Sequence, residues 1–408
     1  MPHFVIVGAG ECGARAAFAL REKGFEGDIT LIGAEPVAPY ERPPLSKEGL
    51  AHAAEPKFVA TLERYTEQRI DLRLRIDVID IDPTAKAITL AGEEKLGYDK
   101  LLLATGASAR AFPSVARTGE RIRVLRTHTD ACALRAALHP GQHIAIIGGG
   151  FIGLELAATA RKLGAEVTVI EGLPRVLKRG VPEEIAEVIA GRHRREGVVI
   201  RCGETIVAIE EGADSVVIRL GSDEIISADL VLVGIGALPN VALAEKAGLA
   251  IDNGIAVNEW LETSEADIFA AGDCCSFPLV LYGGRRVRLE SWRNAQEQGT
   301  LAAGNMLGEG NGISAVPWFW SDQYDLTLQI AGLADGATRM LRRDLSDGAF
   351  ILFHLDDTGR LLAASGIGHG NAVARDIRLA EMLIAARAQP DPEALTACHV
   401  KLKSLLAA

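Results

Sequence analysis

The sequence is short of the features that would hold a metal or exchange a disulfide. Its six cysteines, Cys12, Cys132, Cys202, Cys274, Cys275 and Cys398, show neither C-x-x-C nor zinc-like spacing. No metal site is expected, and without a secretory leader the thiols are expected to be reduced. The adjacent pair Cys274 and Cys275 leaves a strained vicinal disulfide as the less favoured alternative to two small residues after a turn. Long apolar runs are absent too: nothing approaches the roughly 18 residues of a spanning helix, so no membrane association is expected. Met1 to Val7 enter a buried-looking strand directly, with no basic leader or Arg-rich presequence, which implies a cytoplasmic location. Positive charge is in deficit. A net charge of -11 disfavours nucleic acid, whose binding rests on phosphate neutralisation by Lys and Arg.

What is present is an ordinary globular composition, 48% hydrophobic and 24% charged, which excludes a disordered or fibrous chain. At 408 residues two or three domains are expected. The apolar run Phe4-Val5-Ile6-Val7 reads as a parallel strand buried on both faces. It leads into Gly8-Ala9-Gly10-Glu11-Cys12-Gly13 and an Ala-rich helical segment. In this strand, turn, helix order Gly8 permits the tight turn, Gly10 the approach of a pyrophosphate to the helix N-terminus, and Gly13 close packing of helix on strand. A second strand, Asp28 to Ile32, ends near Glu35, where a carboxylate can take a ribose hydroxyl.

The unit repeats. His143 to Ile147 leads into Gly148-Gly149-Gly150-Phe151-Ile152-Gly153-Leu154-Glu155 and another Ala-rich helix, and the following strand, Glu166 to Ile170, ends in Glu171. A carboxylate there accepts ribose hydroxyls and repels a 2'-phosphate, which favours NADH over NADPH; Arg175, a few residues on, is a competing receiver for that phosphate. Two further buried strands precede Ala104-Thr105-Gly106 and the segment from Gly234 and Gly236 to Pro239-Asn240. A third block, Thr263 to Asp273, places a carboxylate just beyond a strand end.

The order of these blocks resembles the flavoprotein superfamily with two dinucleotide-binding domains, in which the position of Asp273 holds the flavin ribitol. Disulfide reductases of that superfamily keep a Cys-x-x-x-x-Cys pair near the flavin. This chain reads Pro39-Tyr40-Glu41-Arg42-Pro43-Pro44-Leu45-Ser46-Lys47 in that region, without a thiol. That segment, the second glycine turn, and Pro317-Trp318-Phe319-Trp320-Ser321-Asp322-Gln323 are similar to the oxygenase-coupled ferredoxin reductases over essentially the whole chain. The resemblance implies FAD and NAD(H) as cofactors and a [2Fe-2S] ferredoxin as partner, supplying a cytochrome P450 or a Rieske oxygenase. It implies an FAD site at Gly8, Gly10, Cys12, Gly13, Glu35, Arg42, Pro44, Lys47, Val78, Ala104, Thr105, Gly106, Arg126, Gly272, Asp273, Glu290 and Trp292, and an NAD site at Gly148, Gly150, Ile152, Gly153, Glu171 and Gly236. The usual acidic position at the end of the second strand is Ala34 here, so the ribose contact is expected to move to Glu35.

Lys47, Glu155 and Trp320 are the catalytic candidates by the same resemblance: Lys47 beside the flavin, Glu155 paired with it, Trp320 shielding the hydride path. Set against these are a solvent-exposed loop lysine, a helix-face carboxylate and a strand aromatic. The expected fold class is α/β, with two Rossmann-like dinucleotide-binding domains and a small α+β C-terminal domain. The FAD domain covers 1–112 and 244–316, interrupted by an NAD domain at 113–243, and 317–408 form the C-terminal domain. There, Phe350 to Leu355 and Leu361 to Ser365 read as a hairpin, followed by a helix from Asp376 to Arg387. Two arginine clusters, Arg285, Arg286, Arg288 and Arg293, and Arg339, Arg342 and Arg343, are candidates for docking an acidic ferredoxin. A monomer or homodimer is expected. The rival functions are an NADH oxidase and a redox-sensing NADH-binding flavoprotein of the apoptosis-inducing-factor type.

Overall fold

The computed structural model describes residues 1–52, 55–113 and 119–406. They gather into two compact units. One comprises Met1–Glu41, Lys57–Ser108 and Pro239–Phe319; the other comprises Arg42–Pro56, Ala109–Leu238 and Trp320–Ala408.

In the first unit, strands with apolar residues on both faces form a five-stranded parallel sheet. Its order is Ile268–Ala270, Lys100–Leu103, His3–Val7, Asp28–Gly33, Ile70–Leu74. From His3–Val7 the chain continues to one side and later returns on the other, so a topological switch point lies at the carboxyl end of that strand, where the Gly8 turn begins. The helix Glu11–Glu22 follows the turn. Its small residues allow the helix Trp292–Met306 to lie close: a Cβ on Gly299 would stand 2.5 Å from the Cys12 carbonyl oxygen.

The second unit repeats the plan with Val199–Cys202, Glu166–Glu171, His143–Ile147, Leu230–Val233 and Ile122–Arg123, again all parallel. An antiparallel meander, Ile206–Glu211, Val216–Leu220 and Ile225–Ala228, closes one side. Its Ile209, Val216 and Ile218 share a core with Ala145, Val231 and Val233. The segment Arg42–Pro56, expected with the flavin-binding part of the chain, packs in this second unit. The reason is local: its 3-10 turn Pro43–Ser46 sits on the helix Phe151–Lys162, where Thr159 Oγ1 donates to the Ser46 carbonyl at 2.8 Å.

Beyond Val316 the chain forms an antiparallel sheet in the order Trp318–Gln323, Leu326–Gly332, Leu361–His369, Phe350–Leu355, Arg339–Asp344, as the hairpin pattern implies. The helix Ala374–Ala385 covers it, beginning and ending two residues earlier than the expected Asp376 to Arg387. This is the α/β class with a small α+β C-terminal part. Arg343 corrects the docking expectation. Its side chain is 4% exposed and its two terminal nitrogens donate to the carbonyls of Leu395, Ala397, Cys398 and Val400, so it ties down the last segment instead of facing a partner. The period-2 alternation of an edge strand turns this arginine inward between two outward-facing residues. Arg342 is also committed, to Glu184 and Asp344. In the other cluster Arg286 and Arg288 donate to main-chain carbonyls, and Arg293 pairs with Glu297. No helix among the described residues is long and apolar enough to cross a membrane.

Candidate active site

Both parallel sheets end in the same device. In the first unit Gly8 has φ +114°, and a Cβ there would lie 2.1 Å from the Ala104 carbonyl oxygen; in the second, Gly148 has φ +105° and would meet the Gly234 carbonyl oxygen at 2.4 Å. Only glycine fits where the turn runs against the neighbouring strand's exit. Gly13 and Gly153 let each helix rest on its turn, their absent Cβ atoms falling 2.0 and 2.1 Å from the Gly8 and Gly148 carbonyl oxygens. Gly10 and Gly150, the N-cap positions, differ: among the described residues nothing lies within 4 Å of a Cβ built there, and no side chain caps either helix. Each 12-residue helix thus points its unsatisfied N–H groups and its positive dipole end into open space. That is the environment a pyrophosphate takes.

These glycines make different demands. Gly8→Ala is expected to destabilise the fold by about 2–4 kcal/mol, through the clash and the left-handed backbone together. Gly10→Ala is expected to leave the melting temperature nearly unchanged and to lower flavin content. Absorbance at the flavin band and thermal melts separate the two; a Gly10→Ala protein that keeps full flavin would contradict the open-cradle reading.

Around the first cradle, Glu35 is half-buried and accepts the Tyr40 hydroxyl at 2.6 Å, while Ala34 is exposed. Ala104 follows its strand with its N–H on the Val7 carbonyl. Thr105 and Gly106 are fixed by Asn240, which in the sequence is marked only as the end of the segment from Gly234 to Pro239-Asn240. The Asn240 amide donates to the Thr105 carbonyl at 2.8 Å, its N–H to Gly106, and its own carbonyl accepts Thr105 Oγ1 at 2.7 Å. Gly272 and Asp273 stand against the same turn, for a Cβ on Gly272 would lie 3.1 Å from that of Cys12. Gln298, almost fully buried, accepts the Gly272 N–H at 2.7 Å. Arg288 joins the Asp273 carbonyl to the Glu290 carboxylate. Trp292 opens the following helix and reaches Glu11, whose carboxyl is pushed up by burial. Val78 starts a strand just after Ile76, whose N–H bonds the Gly33 carbonyl at the sheet's carboxyl end.

The three thiols here are inert. Burial pushes Cys12, Cys274 and Cys275 upward, and the latter two donate apart, to the Leu103 and Ala271 carbonyls and to Gln298. Both are free, so the vicinal disulfide is absent. No group of three or more His, Cys, Asp or Glu able to hold a metal occurs among the described residues.

In the second unit Glu171 leaves its strand with both carboxylate oxygens anchored, accepting the Gly149 N–H and the Leu173 N–H, each at 2.7 Å. Ile152 is 48% exposed on the first turn of the helix, beside the open Gly150. Gly236 follows Gly234 at the turn. Arg175 is held by its main-chain neighbours, its two terminal nitrogens donating to the Val176 and Val181 carbonyls. Arg42 donates to the Arg126 carbonyl at 2.6 Å, and Arg126 leads into the capping box of Thr127 and Asp130. Lys47 follows the turn that Pro44 starts, its N–H on the Pro44 carbonyl.

Lys47 and Glu155 are neither an exposed loop lysine nor a free helix-face carboxylate. Lys47 Nζ lies 3.0 Å from Glu155 Oε1, with the side chains 21% and 7% exposed, and 5.8 Å from the centroid of the Trp320 ring. Glu155 also accepts Ser46 Oγ at 2.5 Å and Ser321 Oγ at 2.6 Å. Both serines lie inside the motifs at 39–47 and 317–323, where nothing in the sequence marks them for a role.

Residues 2–299 match the family described as Pyridine nucleotide-disulphide oxidoreductase, and residues 318–406 that described as Reductase C-terminal. The chain is 43% identical over 408 residues to the ferredoxin–NAD(+) reductase component of the anthranilate 1,2-dioxygenase system of Burkholderia cepacia, covering 99% of each. It is 38% identical to putidaredoxin reductase of Pseudomonas putida, over 99% of this chain and 96% of that one. Among solved structures, the covalent putidaredoxin reductase–putidaredoxin complex superposes with a TM-score of 0.94 at 36% identity, covering 100% of this chain and 98% of that one. With twin glycine cradles, a thiol-free segment at 39–47 and the aromatic strand that opens the C-terminal sheet, the chain belongs to the pyridine nucleotide-disulphide oxidoreductases, among the oxygenase-coupled ferredoxin reductases.

Proposed function

We propose that the chain reduces a [2Fe-2S] ferredoxin with electrons from NADH, by way of FAD, and so supplies an oxygenase. The observation that carries this reading is the pair of uncapped helix N-termini, each behind an open glycine, one in each unit. FAD suits such a chain because it accepts two electrons as a hydride and releases them one at a time. Three related reductases are named as ferredoxin–NAD(+) reductase components of dioxygenases or dioxygenase systems, which supports the partner. A cytoplasmic location belongs to the same reading.

The residues divide the work. Gly8, Gly10 and Gly13 with Glu35, Thr105, Asp273 and Trp292 would hold FAD in a domain of residues 1–112 and 244–316; the opening of the 113–243 domain, at 114–118, lies outside the described residues. Gly148, Gly150, Ile152, Gly153, Glu171 and Gly236 would hold the dinucleotide of NADH. Lys47 keeps a positive charge, Glu155 orients it, and Trp320 excludes water from that side. With every cysteine of the first cradle buried and protonated, electrons have no route through a disulfide, which argues against the reductases that use one.

Glu171 sets the choice of nicotinamide. Both its oxygens are fixed by main-chain N–H groups, so the carboxylate cannot swing away from an added phosphate, and Arg175 is turned to carbonyls. NADH is expected to be preferred over NADPH by about 100-fold in kcat/KM, the size of a like-charge encounter at an interface. Glu171→Ala is expected to shrink this ratio about tenfold; equal use of both cofactors by the wild type would defeat the assignment. The reading as a whole is tested by anaerobic stopped-flow mixing with NADH and then with a [2Fe-2S] ferredoxin. Rapid bleaching followed by one-electron reduction of the ferredoxin is expected, whereas a reduced flavin that ignores ferredoxin and reacts promptly with oxygen would indicate an oxidase.

A further inference from the structure

The motif Trp320-Ser321-Asp322-Gln323 contains more than its aromatic. As a strand it alternates, and its two faces do different things. On one face the Trp320 indole N–H donates to Asp322 at 3.1 Å, and Asp322 is itself held by Thr327 Oγ1 at 2.8 Å. On the other, Ser321 and Gln323 are 1% and 2% exposed and point into a buried polar chain. Ser321 Oγ donates to Glu155 Oε1, Gln323 Nε2 donates to Ser321 Oγ at 3.2 Å, and Gln323 Oε1 accepts His193 Nε2 at 2.8 Å. His193 is fully buried, and among the described residues its Nδ1 has no partner. The chain therefore ends in a neutral imidazole with its proton on Nε2, and transmits no charge. From the opposite side Ser46 Oγ reaches Glu155 Oε2, and Ser46 is fixed in turn through its carbonyl by Thr159.

We propose that Ser321 and Ser46 are positioning residues for electron transfer: together they clamp the Glu155 carboxylate in one orientation, and the clamped carboxylate holds the Lys47 ammonium in register with Trp320, with Gln323 and neutral His193 bracing Ser321 from behind. The physical need is plain. A buried carboxylate with only Lys47 for a partner could rotate about its terminal torsion, which is broad, and take the ammonium with it. Two hydroxyls from opposite sides, one on each oxygen, remove that freedom. Side chains braced in this way hold a reacting charge to within a fraction of an ångström, and a displacement of about 1 Å can cost 100-fold in rate. The inference rests on the proposed roles of Lys47 and Glu155 and adds the residues that make them work.

The test uses the FAD-loaded protein. Ser321→Ala and Ser46→Ala are each expected to lower the limiting rate of flavin reduction at saturating NADH about tenfold. The KM for NADH should stay within about twofold, because neither serine is in the dinucleotide cradle. The flavin midpoint potential should shift with the rate, and Ser321→Thr should recover most of both. The double alanine variant should be no slower than Lys47→Met, since all three act through one ammonium. Melting temperature and flavin content are measured alongside, and the second serine, on a separate segment, guards against misfolding of either variant. If Lys47→Met slows reduction while both alanine variants keep the wild-type rate and potential, the clamp is wrong and the function stands. Should Lys47→Met itself be as fast as the wild type, the roles of Lys47 and Glu155 fall and the clamp falls with them. Loss of rate in Ser321→Ala that Thr does not recover, with an unchanged potential, would mark Ser321 as merely structural and overturn the proposal.

Discussion

Replacing Lys47 by methionine is expected to slow flavin reduction by NADH about 100-fold, the scale on which a positioned charge acts at a water-excluded site. The substitution keeps an unbranched stem, with sulfur in place of one methylene, and removes the ammonium. It also strands Glu155, which is 7% exposed and would be left with two serine hydroxyls and no counter-charge. Breaking a buried pair from one side costs about 3–5 kcal/mol, reduced here because Lys47 is 21% exposed. Rate and stability should therefore both fall in Lys47→Met. In Lys47→Met/Glu155→Gln they should part company: the neutral amide still pairs with the serines, so the melting temperature recovers, while reduction stays slow. Stopped-flow rates and thermal melts on the four proteins of this cycle decide the matter. Recovery of rate together with stability in the double variant would mean that the lysine serves only the fold.

Acid should destabilise the protein steeply between pH 6.5 and 4. Two imidazoles are responsible. Burial pushes His193 down to about 4, the Gln323 hydrogen bond and Glu196 opposing and Arg192 assisting. Burial alone pushes His354, in the strand Phe350–Leu355 beside Ser365, down to about 4. In the unfolded chain each titrates near its ordinary 6.5. Over this window the unfolded chain binds protons that the folded chain refuses, so stability drops as pH falls and this contribution levels off below about 4. The depression corresponds to about 3 kcal/mol for each histidine, or about 6 kcal/mol for both. Urea unfolding at closely spaced pH values should show the slope, and His193→Gln with His354→Gln should flatten it. A double variant with the wild-type slope would show that carboxylates, not these histidines, govern acid unfolding.

The parts legible in the sequence are those built from neighbours along the chain. Gly8 to Gly13 and Gly148 to Gly153 each sit within one turn, and their strands are marked by apolar runs, so both cradles and the order of strand and helix could be read directly. The Lys47–Glu155 pair was reached only through family resemblance, because 108 residues separate its members. Ser46 and Ser321 escaped notice for a chemical reason: a serine in a loop and a serine in a strand carry no periodic signal, and their role exists only once three segments meet at one carboxylate. Arg343 misled in the other direction. Beside Arg342 it reads as surface charge, yet alternation along the strand turns one guanidinium outward and its neighbour into four carbonyls. Composition cannot separate the two; the strand's phase can.

Asn240, which bonds Thr105 and Gly106 from across the chain, has a further consequence. The polypeptide leaves the first unit just after Ser108 and re-enters it at Pro239, where Asn240 is bonded back to the departure point, Ser108 Oγ included at 2.7 Å. A stretch whose two ends are stitched together in this way is a natural cassette, because cutting it out and closing the gap needs little rearrangement of the host. Residues 109–238 carry a complete cradle and would bring their nucleotide preference with them into another chain. They would arrive, however, with Glu155 on a buried helix and without Ser46, Lys47 or Ser321, which come from outside the cassette. The proposed nicotinamide cradle would thus be portable by recombination, whereas the partners of its Glu155 carboxylate would stay behind with the chain that supplies Ser46, Lys47 and Ser321.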